Sequence, residues 1–458
     1  MIKIKTDSKK ILPGDTFVAL KGIKSDGHDY IENAIQNGAT TIIAEKGSYS
    51  VKTIIVKDTR KYLDELLQKE YNYLIEEMKL IGITGTNGKT TSCYLTYQIL
   101  NKLNIKCAYI GTIGFYLKEK VRSLPNTSVD IAELYALLDE AYQNGYKYVA
   151  LEVSSQGLAM GRFETINFDI AVFTNLTQDH LDYHKTMESY ALAKQELFRK
   201  LKKTGKAIIN ADDSYKDTFM LKENENITYG LNSNDYKIIS ATINNKGLKF
   251  TYSYQNEEYT LETNLLGKYN LYNLLCSIAS VHELGINLND INKVVDNLSM
   301  PSGRMEKIEY NSNLIIVDYA HTPDAIENII NTVKPICQNN LYVVFGCTGN
   351  RDKTKRPIMT SLVLNNVTKA IITVDDPHDE KPSDIVEDML KGNTLTNYTI
   401  CLDRKKAIDD GISLLENNDI LLILGKGHED YIIYKDKKIP FNDKKEVLDY
   451  INLEKQKV

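Results

Sequence analysis

Short apolar runs and amphipathic segments alternate along the whole chain, and this alternation predicts strands separated by helices. The clearest case begins with the apolar run at residues 80–83, which predicts a buried strand. A loop with two glycines follows, and then Leu95, Ile99 and Leu103 recur four residues apart, as on one face of a helix. A strand, a loop and a helix in this order are the unit of a mostly parallel α/β sheet.

The same alternation divides the chain into three predicted domains. Residues 1–79 are predicted to form a small N-terminal α/β domain, and residues 80–300 a central domain with a doubly wound, mostly parallel sheet. A stretch at 240–263 has alternating residues and polar turns instead, which predicts a hairpin or meander. Residues 301–458 return to the α/β rhythm and predict a Rossmann-like domain. Its predicted core strands, each followed by a polar loop, lie at 314–317, 342–345, 370–374 and 420–424.

Composition narrows the class of protein. The chain has 458 residues, of which 42% are hydrophobic and 26% charged, as in ordinary globular proteins. A net charge of −5 gives no reason to expect nucleic acid as a partner, because nucleic-acid-binding proteins carry a basic face. No apolar run approaches the ~18 residues of a membrane span, and we expect no signal peptide. The six cysteines form no C-x-x-C pair, so we expect free thiols and a cytoplasmic protein.

The glycine loop carries the first chemical signal. It has the sequence T-G-T-N-G-K-T-T, in which Gly85 and Gly88 let backbone N–H groups face phosphates. Lys89 is placed to reach the terminal phosphates of a nucleotide, and the Thr90 hydroxyl to hold a divalent ion. The usual P-loop pattern has an earlier glycine where this chain has Ile83. The alternative interpretation is a strand, a turn and a helix with a solvated lysine.

Three further side chains of the central domain are candidates for catalysis. Glu152 ends an apolar strand beside the P-loop and is predicted to bind the magnesium ion of a nucleotide, with a solvated carboxylate as the alternative. His180 and Lys194 are ambiguous from spacing alone. An isolated histidine is more often packed or solvated than a ligand. A lysine among apolar helix residues either extends its amine to water or, when buried, needs a partner or a lowered pKa.

Loops after the strands of the third domain carry further polar groups. One is a basic cluster from Arg351 to Arg356, where an arginine fork suits a phosphate or a carboxylate. Another contains Lys426, His428 and Glu429, of which Glu429 is suited to pair with a substrate ammonium. Solvated charges are the alternative for both loops. Because ligands bind at the carboxyl ends of parallel strands, these loops form a predicted binding rim.

Motifs along nearly the whole chain resemble those of the Mur ligases, the ATP-dependent amide-forming enzymes of peptidoglycan synthesis. They are most similar to those of the ligases that add the third residue of the stem peptide. T-G-T-N-G-K-T-T is the P-loop of this family, so Ile83 is no longer anomalous. The other matching segments are D-S-K-K-I-L-P-G-D-T-F-V-A-L-K-G, D-G-H-D-Y-I, L-E-V-S-S-Q-G-L, F-T-N-L-T-Q-D-H-L-D-Y-H, Y-A-L-A-K-Q-E-L-F, G-R-M-E, D-Y-A-H-T-P-D and G-K-G-H-E-D.

The resemblance implies roles for individual residues in binding ATP and magnesium. The implied ATP-binding residues of the central domain are Gly85, Thr86, Asn87, Gly88, Lys89, Thr90, Thr91, and, near the adenine, Asn270 and Asn273. The third domain would add Arg304, Asp318 and Lys353. Two magnesium ions are implied, and their ligands would be Thr90, Glu152, His180 and Lys194 as a carbamate. The implied catalytic residues are Lys89, Glu152, His180 and Lys194.

The resemblance also implies the other substrates and the reaction. A UDP-linked muramoyl dipeptide would be held by Ser8, Thr127, Ser128, Ser154 and Arg162. The free amino acid would be held by Arg351, Asp375, Asp376, His378, Gly425 and Glu429. The γ-phosphoryl group of ATP would pass to a substrate carboxylate, and the amine would attack the resulting acyl phosphate. We expect a monomer whose mobile third domain closes over this site.

The chain departs from the family pattern at three places. The usual T-T-P before a helix appears as Thr127, Ser128 and Val129, which loses a helix-starting proline, and Met160 replaces a frequent glutamine. The amino-acid loop has the sequence D-D-P-H where diaminopimelate ligases carry D-N-P-R. In those ligases the arginine binds the distal carboxylate of diaminopimelate through two N–H groups of its guanidinium. His378 has no such fixed, always-charged group, so we expect the amino acid to be L-lysine or another diamine without a second carboxylate. The alternative is meso-diaminopimelate or another diamino acid.

Two other functions share parts of the pattern. Folylpolyglutamate synthetases use a similar P-loop and magnesium site, but the segments D-G-H-D-Y-I and G-K-G-H-E-D argue against them. A non-enzymatic P-loop switch that binds GTP would need an N-K-x-D motif. Asn292, Lys293 and Asp296 have the wrong spacing for this motif. The sequence therefore favours a ligase over both alternatives.

Overall fold

The computed structural model describes residues 3–22, 25–244, 247–435 and 437–456, which form three α/β units in chain order. The first unit is a four-stranded parallel sheet in the order β1-β2-β3-β4. Its strands are β1 (Ile4–Lys5), β2 (Thr16–Val18), β3 (Thr41–Ala44) and β4 (Lys52–Ile55). Its helices are α1 (Ile31–Gln36) and α2 (Thr59–Glu77), with 3₁₀ turns at Ser8–Lys10 and Gly27–Tyr30.

The central unit is an eleven-stranded sheet in the order β15-β14-β13-β12-β11-β10-β5-β9-β6-β7-β8. Its strands are β5 (Lys79–Thr84), β6 (Cys107–Gly111), β7 (Gly114–Tyr116), β8 (Lys120–Arg122), β9 (Tyr148–Glu152), β10 (Phe168–Phe173), β11 (Leu201–Asn210), β12 (Glu225–Gly230), β13 (Tyr236–Asn244), β14 (Gly247–Tyr254) and β15 (Glu257–Thr263). Its helices are α3 (Lys89–Lys102), α4 (Ile131–Gln143), α5 (Ser155–Ala159), α6 (Leu181–His184), α7 (Met187–Arg199), α8 (Lys216–Phe219), α9 (Lys268–His282) and α10 (Leu288–Asn292). The strands are parallel from β13 through β6 and antiparallel at both edges.

The third unit is a six-stranded sheet in the order β16-β17-β21-β18-β19-β20, parallel except at β16. Its strands are β16 (Glu306–Tyr310), β17 (Asn313–Asp318), β18 (Leu341–Phe345), β19 (Lys369–Ile372), β20 (Tyr398–Ile400) and β21 (Ile420–Leu424), and a separate hairpin is formed by β22 (Tyr431–Tyr434) and β23 (Lys437–Pro440). Its helices are α11 (Pro323–Val333), α12 (Lys355–Leu364), α13 (Pro382–Leu390), α14 (Arg404–Ser413) and α15 (Asp443–Lys455), with a 3₁₀ turn at Lys334–Ile336.

This architecture confirms the predicted three-domain α/β fold with a mostly parallel central sheet and a Rossmann-like third unit. The predicted meander is present as β13, β14 and β15, which extend the parallel sheet by antiparallel pairs. All six cysteines are free. Among the described residues, no helix is long and apolar enough to cross a membrane.

The sequence analysis did not predict α2, although its pattern is present. Asp58 caps the first turn by accepting a hydrogen bond from a main-chain N–H. Leu63, Leu67 and Leu74 follow at helical spacing and are fully buried. The helix packs against α4, so it attaches the first sheet to the central unit.

The missing proline before α4 has no structural cost. Val129 lies before the N-cap rather than at the first helical position, and Asp130 caps the helix by accepting from Ala132 N at 3.0 Å. Val129 and Leu134 are both buried in one apolar cluster, at the positions of a hydrophobic staple. With valine in place of the usual proline, α4 still begins with a side-chain cap.

The order of the central strands determines which loops meet. Strands β10, β5, β9 and β6 are adjacent and parallel, so their carboxyl ends lie side by side. The P-loop follows β5, Glu152 ends β9, and Gly111 ends β6. The third unit faces this edge of the sheet across a deep cavity.

Candidate active site

A cavity of about 620 Å³ lies between the central sheet and the third unit. The predicted site residues that line it from the central unit are Thr86, Asn87, Gly88, Lys89, Thr90, Thr91, Thr127, Ser128, Glu152, Ser154, Arg162, His180 and Lys194. Those that line it from the third unit are Arg304, Arg351, Asp375, Asp376, His378, Gly425 and Glu429. One cavity therefore brings together the candidate groups for the nucleotide, the muramoyl peptide and the amino acid.

Gly85 and the residues packed against it determine the conformation of the P-loop. Ile83 is buried inside β5, so the loop begins at Gly85 rather than at the earlier position of the usual pattern. Gly85 has a φ of +150°, and a Cβ there would lie 1.9 Å from the Thr174 hydroxyl. Lys89 and Thr90 form the first turn of α3, whose N-terminus carries a positive potential.

Two amines, one half-buried and one fully buried, meet at one carbonyl of the P-loop. The Nζ of Lys89 donates to the carbonyls of Gly85 (2.9 Å) and Thr86 (2.8 Å), and the Nζ of Lys194 donates to Gly85 at 2.7 Å. Burial lowers the pKa of both amines, and for Lys194 the proximity of Lys89 lowers it further. Neither amine forms an ion pair with another described residue. For Lys89, an anionic ligand such as a phosphate would supply the missing counter-charge.

Lys194 does not extend its amine to water. The side chain lies on α7, is 1% exposed, and its Nζ lies 4.4 Å from the centre of the Tyr190 ring. Because burial lowers its pKa well below the ordinary value, the neutral amine is favoured. A neutral amine is the nucleophilic form that can react with carbon dioxide, so the environment fits the implied carbamate.

Glu152 presents a buried carboxylate in a shell of donors. Its Oε2 accepts from the Thr90 hydroxyl at 2.8 Å and from the Thr112 hydroxyl at 3.0 Å. Its Oε1 accepts from Thr112 N at 2.9 Å and from the Tyr109 hydroxyl. A carboxylate beside a threonine hydroxyl offers the oxygen ligands that magnesium prefers, so this pair fits the implied cation. His180 lines the same cavity with its side chain 42% exposed.

The candidate muramoyl-peptide residues form one hydrogen-bonded group around Ser128. The Ser128 hydroxyl donates to the Glu152 carbonyl at 3.1 Å and accepts from Ser154 N and the Ser154 hydroxyl, both at 3.0 Å. The Ser128 carbonyl accepts from the Arg162 guanidinium. The group is thereby connected to the strand end that carries Glu152.

The candidate amino-acid site has a buried lysine at its centre. The Nζ of Lys426 lies 2.8 Å from Asp376, 2.7 Å from Glu429 and 3.6 Å from Asp375. These three carboxylates are close enough to hold a metal ion, but the ammonium of Lys426 already lies among them. Burial raises the pKa of Glu429 to about 7. Three carboxylates against one buried ammonium leave a negative wall that suits an incoming ammonium group.

A hairpin fixes the loop that carries Asp376 and His378. The Asp376 carboxylate accepts from Ile433 N at 2.9 Å. The backbone N–H of His378 donates to the Ile433 carbonyl, and the His378 carbonyl accepts from Lys435 N at 2.8 Å. His378 has a φ of +51°, a conformation that these two main-chain bonds hold.

The structure does not bring six of the predicted residues into the cavity wall. Gly85 acts through its carbonyl, as described above. Asn273 and Asn270 lie behind the P-loop, where Asn273 accepts from Ser92 at 3.2 Å and donates to Asn270 at 2.9 Å. Asn270 is completely buried, so this arrangement does not place it at an adenine ring. Asn273 thus contacts the first turn of α3 behind the P-loop, and Asn270 holds Asn273.

The other three residues have local partners. Ser8 is buried in the first unit, outside this cavity. Asp318 is buried and accepts from Met305 N and Ala320 N, both at 2.7 Å, so it shapes the loop that carries Arg304. Lys353 pairs with Glu380 at 3.0 Å within the third unit. The prediction that Lys353 approaches the phosphates does not fit this geometry.

Sequence reasoning included Lys355 in the basic cluster but named Lys353, two residues earlier, as the nucleotide-binding residue. Lys355 lines the cavity, and its Nζ lies 2.9 Å from the Asp179 carboxylate of the central unit. Asp324 was missed; it accepts from the Asn87 side chain of the P-loop at 2.5 Å. The spacing of Lys353 and Lys355 gave no signal, because only the start of α12 determines which lysine points into the cavity.

Comparison with known proteins agrees with this geometry. Residues 3–73 match the "Mur ligase family, catalytic domain", residues 83–281 the "Mur ligase middle domain", and residues 303–427 the "Mur ligase, glutamate ligase domain". The chain is 41% identical to the UDP-N-acetylmuramoyl-L-alanyl-D-glutamate–2,6-diaminopimelate ligase of Clostridium botulinum, covering 98% of this chain and 94% of that one.

Solved structures extend the comparison. A UDP-N-acetylmuramoyl-L-alanyl-D-glutamate–2,6-diaminopimelate ligase superposes with a TM-score of 0.68 at 32% identity, covering 99% of this chain and 95% of that one. The MurF ligase of Thermotoga maritima in complex with ADP has a TM-score of 0.73 at 19% identity, covering 100% and 98%, and shows the shared fold.

The P-loop, the buried carboxylate and the facing third unit define an ATP-dependent ligase that forms amide bonds. The three matched domains and the long relative identify its family. This chain belongs to the Mur ligases. Family membership excludes the GTP-binding switch that shares only the P-loop.

Proposed function

We propose that this chain joins an amino acid to UDP-N-acetylmuramoyl-L-alanyl-D-glutamate with the conversion of ATP to ADP and phosphate, in peptidoglycan synthesis. The observation that carries the proposal is the single cavity lined by the P-loop, the Ser128 group and the negative wall around Lys426. The relative from Clostridium botulinum and the structure at 32% identity are both named for this reaction. Both cover more than nine-tenths of this chain, which supports the transfer of the whole activity.

The phosphoryl step needs two anions to meet. The substrate carboxylate attacks the γ-phosphorus of ATP, ADP leaves, and an acyl phosphate forms. Lys89 and the N-terminus of α3 offset the negative charge of the phosphates. Thr90, Glu152, His180 and Lys194, as a carbamate, would hold magnesium, which lowers the repulsion between the two anions when bound.

The amide step takes place on the acyl phosphate. The amine of the amino acid loses its proton and attacks the acyl carbon, and phosphate leaves. Glu429 and the carboxylates around Lys426 attract the charged amino acid to the third unit. Contacts between the units, such as Lys355 with Asp179, hold the amine side of the cavity over the phosphate side and limit the access of water.

The proposed amino acid is meso-diaminopimelate. The relatives support it over the L-lysine expected from His378, because they are named for 2,6-diaminopimelate at 37% to 41% identity. Arg351 lines the same wall of the cavity and offers the guanidinium fork that His378 lacks. The absence of an arginine at position 378 therefore does not require an amino acid without a distal carboxylate.

Turnover with single amino acids tests the proposal. The protein is incubated with UDP-N-acetylmuramoyl-L-alanyl-D-glutamate, ATP and one amino acid, and both phosphate release and the tripeptide product are measured. We expect kcat/KM to be at least about 10-fold higher with meso-diaminopimelate than with L-lysine, since only the former fills the carboxylate subsite. A preference for L-lysine would instead support the interpretation that His378 selects an amino acid without a distal carboxylate. Phosphate release that needs no muramoyl substrate would contradict the ligase function.

A further inference from the structure

Two residues outside every predicted set hold the Glu152 carboxylate. Tyr109 lies on β6, next to β9, and its hydroxyl donates to Oε1 of Glu152. Thr112 follows the same strand and donates twice, from its main-chain N–H to Oε1 at 2.9 Å and from its hydroxyl to Oε2 at 3.0 Å. Both oxygens of the carboxylate are thus fixed by donors from one neighbouring strand end.

Gly111 makes this contact possible. A Cβ at position 111 would lie 2.3 Å from Oε1 of Glu152 and 2.6 Å from the Tyr109 hydroxyl. Any side chain there would occupy the gap through which the carboxylate and the phenol meet. In the segment from Tyr109 to Thr112, the tyrosine, the glycine and the threonine therefore all contribute to the position of the Glu152 carboxylate.

The phenol of Tyr109 cannot turn away from Glu152. Tyr109 is fully buried, and its ring packs edge-on against Tyr94 (5.9 Å between centroids) and Tyr116 (5.6 Å). Tyr97 belongs to the same cluster, but its hydroxyl donates to the carbonyls of Leu117 and Lys118 instead. Removing either hydroxyl changes the same apolar cluster, while only one of them touches the carboxylate.

We propose that Tyr109 and Thr112 are positioning residues that hold Glu152 in the orientation in which it binds a divalent cation beside the P-loop. The inference rests on the proposed magnesium role of Glu152. A carboxylate ligand whose rotamer is fixed by hydrogen bonds binds a metal without first being ordered, and loss of such outer partners typically weakens metal affinity 10- to 100-fold.

Thr112 also connects the cation side of the cavity to the peptide side. Its hydroxyl lies 3.0 Å from the Thr127 hydroxyl, a candidate contact of the muramoyl peptide. One threonine therefore contacts both the carboxylate and the substrate loop. This predicts different effects for the two positioning residues: Tyr109 acts on the cation alone, and Thr112 acts on the cation and on the muramoyl substrate.

Manganese binding to the full chain with ADP tests this inference. Free Mn²⁺ is counted from its electron paramagnetic resonance signal for the wild type, Tyr109→Phe and the matched control Tyr97→Phe. We expect Tyr109→Phe to weaken Mn²⁺ binding about 10-fold or more, and Tyr97→Phe to bind as the wild type does. The measurement involves neither amino acid nor muramoyl substrate, so its result is independent of whether the amide is formed.

Thermal unfolding will show whether Tyr109→Phe is folded. If it is not, Thr112→Val serves as the second test variant. This variant retains the main-chain donor and the side-chain shape. We expect weaker Mn²⁺ binding together with a several-fold higher KM for the muramoyl substrate in the coupled assay. Mn²⁺ affinity equal to the wild type in the folded variants, or in Glu152→Gln, would overturn the proposal.

Discussion

Two buried lysines of the site show how surroundings decide the role of a side chain. Lys426 lies among three carboxylates, and these raise its pKa to about 12, so it is a permanent cation. Lys194 is equally buried, but its Nζ donates to a carbonyl rather than to a carboxylate, and its pKa is lowered. The first lysine therefore organises carboxylates, whereas the second is available for a reaction that needs a free amine.

For Lys194 we expect the substitution to alanine to remove a group that holds a cation. Loss of an outer-shell partner of a metal typically costs up to about 100-fold. Because Lys194 is proposed as a direct ligand, Lys194→Ala should lower kcat by at least about 100-fold. Added formate or acetate should restore part of the activity by replacing the missing carboxylate. The measurement is phosphate release with and without these acids.

The matched control is Lys203→Ala, which removes an exposed lysine of β11. It should leave the rate unchanged and gain nothing from added acids. A Lys194→Ala enzyme with wild-type activity would show that the buried amine has no part in holding the cation.

Single residues also mark the limit of prediction from sequence. Lys89 and Glu152 were identified because a glycine loop and an apolar strand fix the positions of the residues that follow them. Lys353 was named instead of Lys355, because the sequence does not show where α12 begins. Lys353 precedes this helix, whereas Lys355 is its first residue. Asn270 was assigned to the adenine, and its complete burial became visible only once α9 was packed against α3.

Among the elements, the buried guanidinium of Arg404 connects the strand ends that carry the candidate amino-acid site. It donates twice to Asp443, both at 2.7 Å, and so joins α14 to α15. It also donates to the carbonyls of Val374 (2.9 Å) and Leu424 (3.0 Å), which directly precede Asp375 and Gly425. One side chain thus sets the relative position of two loops of the site.

Removal of this guanidinium should destabilise the third unit. Arg404→Met leaves the Asp443 carboxylate buried without its partner, and we expect a loss of about 3–5 kcal/mol in the free energy of unfolding. Denaturant titration measures this loss. The double variant Arg404→Met/Asp443→Leu should recover much of it, because no unpaired charge then remains.

Lys405→Met provides the control on the same two helices. Lys405 pairs with Glu446, but its side chain is 51% exposed, so its loss should cost less than about 1 kcal/mol. Equal effects of the two substitutions would show that the buried pair contributes no more than a surface pair.

The elements were predicted well where they are long and apolar. The core strands β5, β9, β18 and β21 were found within one or two residues, because fully buried parallel strands are continuous apolar runs. The three-residue strands β7, β8 and β20 were missed, since they have too few residues to show a period. The order of the strands within each sheet could not be predicted, because it differs from their order along the chain. This order decides which loops lie next to one another.

At the scale of the whole molecule, polar contacts join the third unit to the central unit beside the cavity. Lys355 of the third unit pairs with Asp179 of the central unit, and Asp324 accepts from Asn87 in the P-loop. Both contacts border the cavity. The P-loop is thereby in direct contact with the third unit.

Loss of one of these contacts should favour an open arrangement. For Lys355→Met we expect kcat/KM for ATP to fall about 10-fold, equivalent to ~1.4 kcal/mol, and small-angle X-ray scattering with an ATP analogue to give a larger radius of gyration than the wild type. Lys353→Met is the control, because Lys353 pairs within the third unit. The same rate loss in both variants would instead indicate a general effect of charge on nucleotide binding.

The hairpin of β22 and β23 is hydrogen-bonded to the loop of Asp376 and His378. Part of the proposed amino-acid site lies in this loop and hairpin, and neither shares a strand with the central sheet that carries the P-loop. Under the proposed function, substitutions in this loop and hairpin can therefore change which amino acid is accepted without altering the strands that carry the P-loop. The choice of amino acid is thereby separated in the fold from the loop proposed to bind the phosphates.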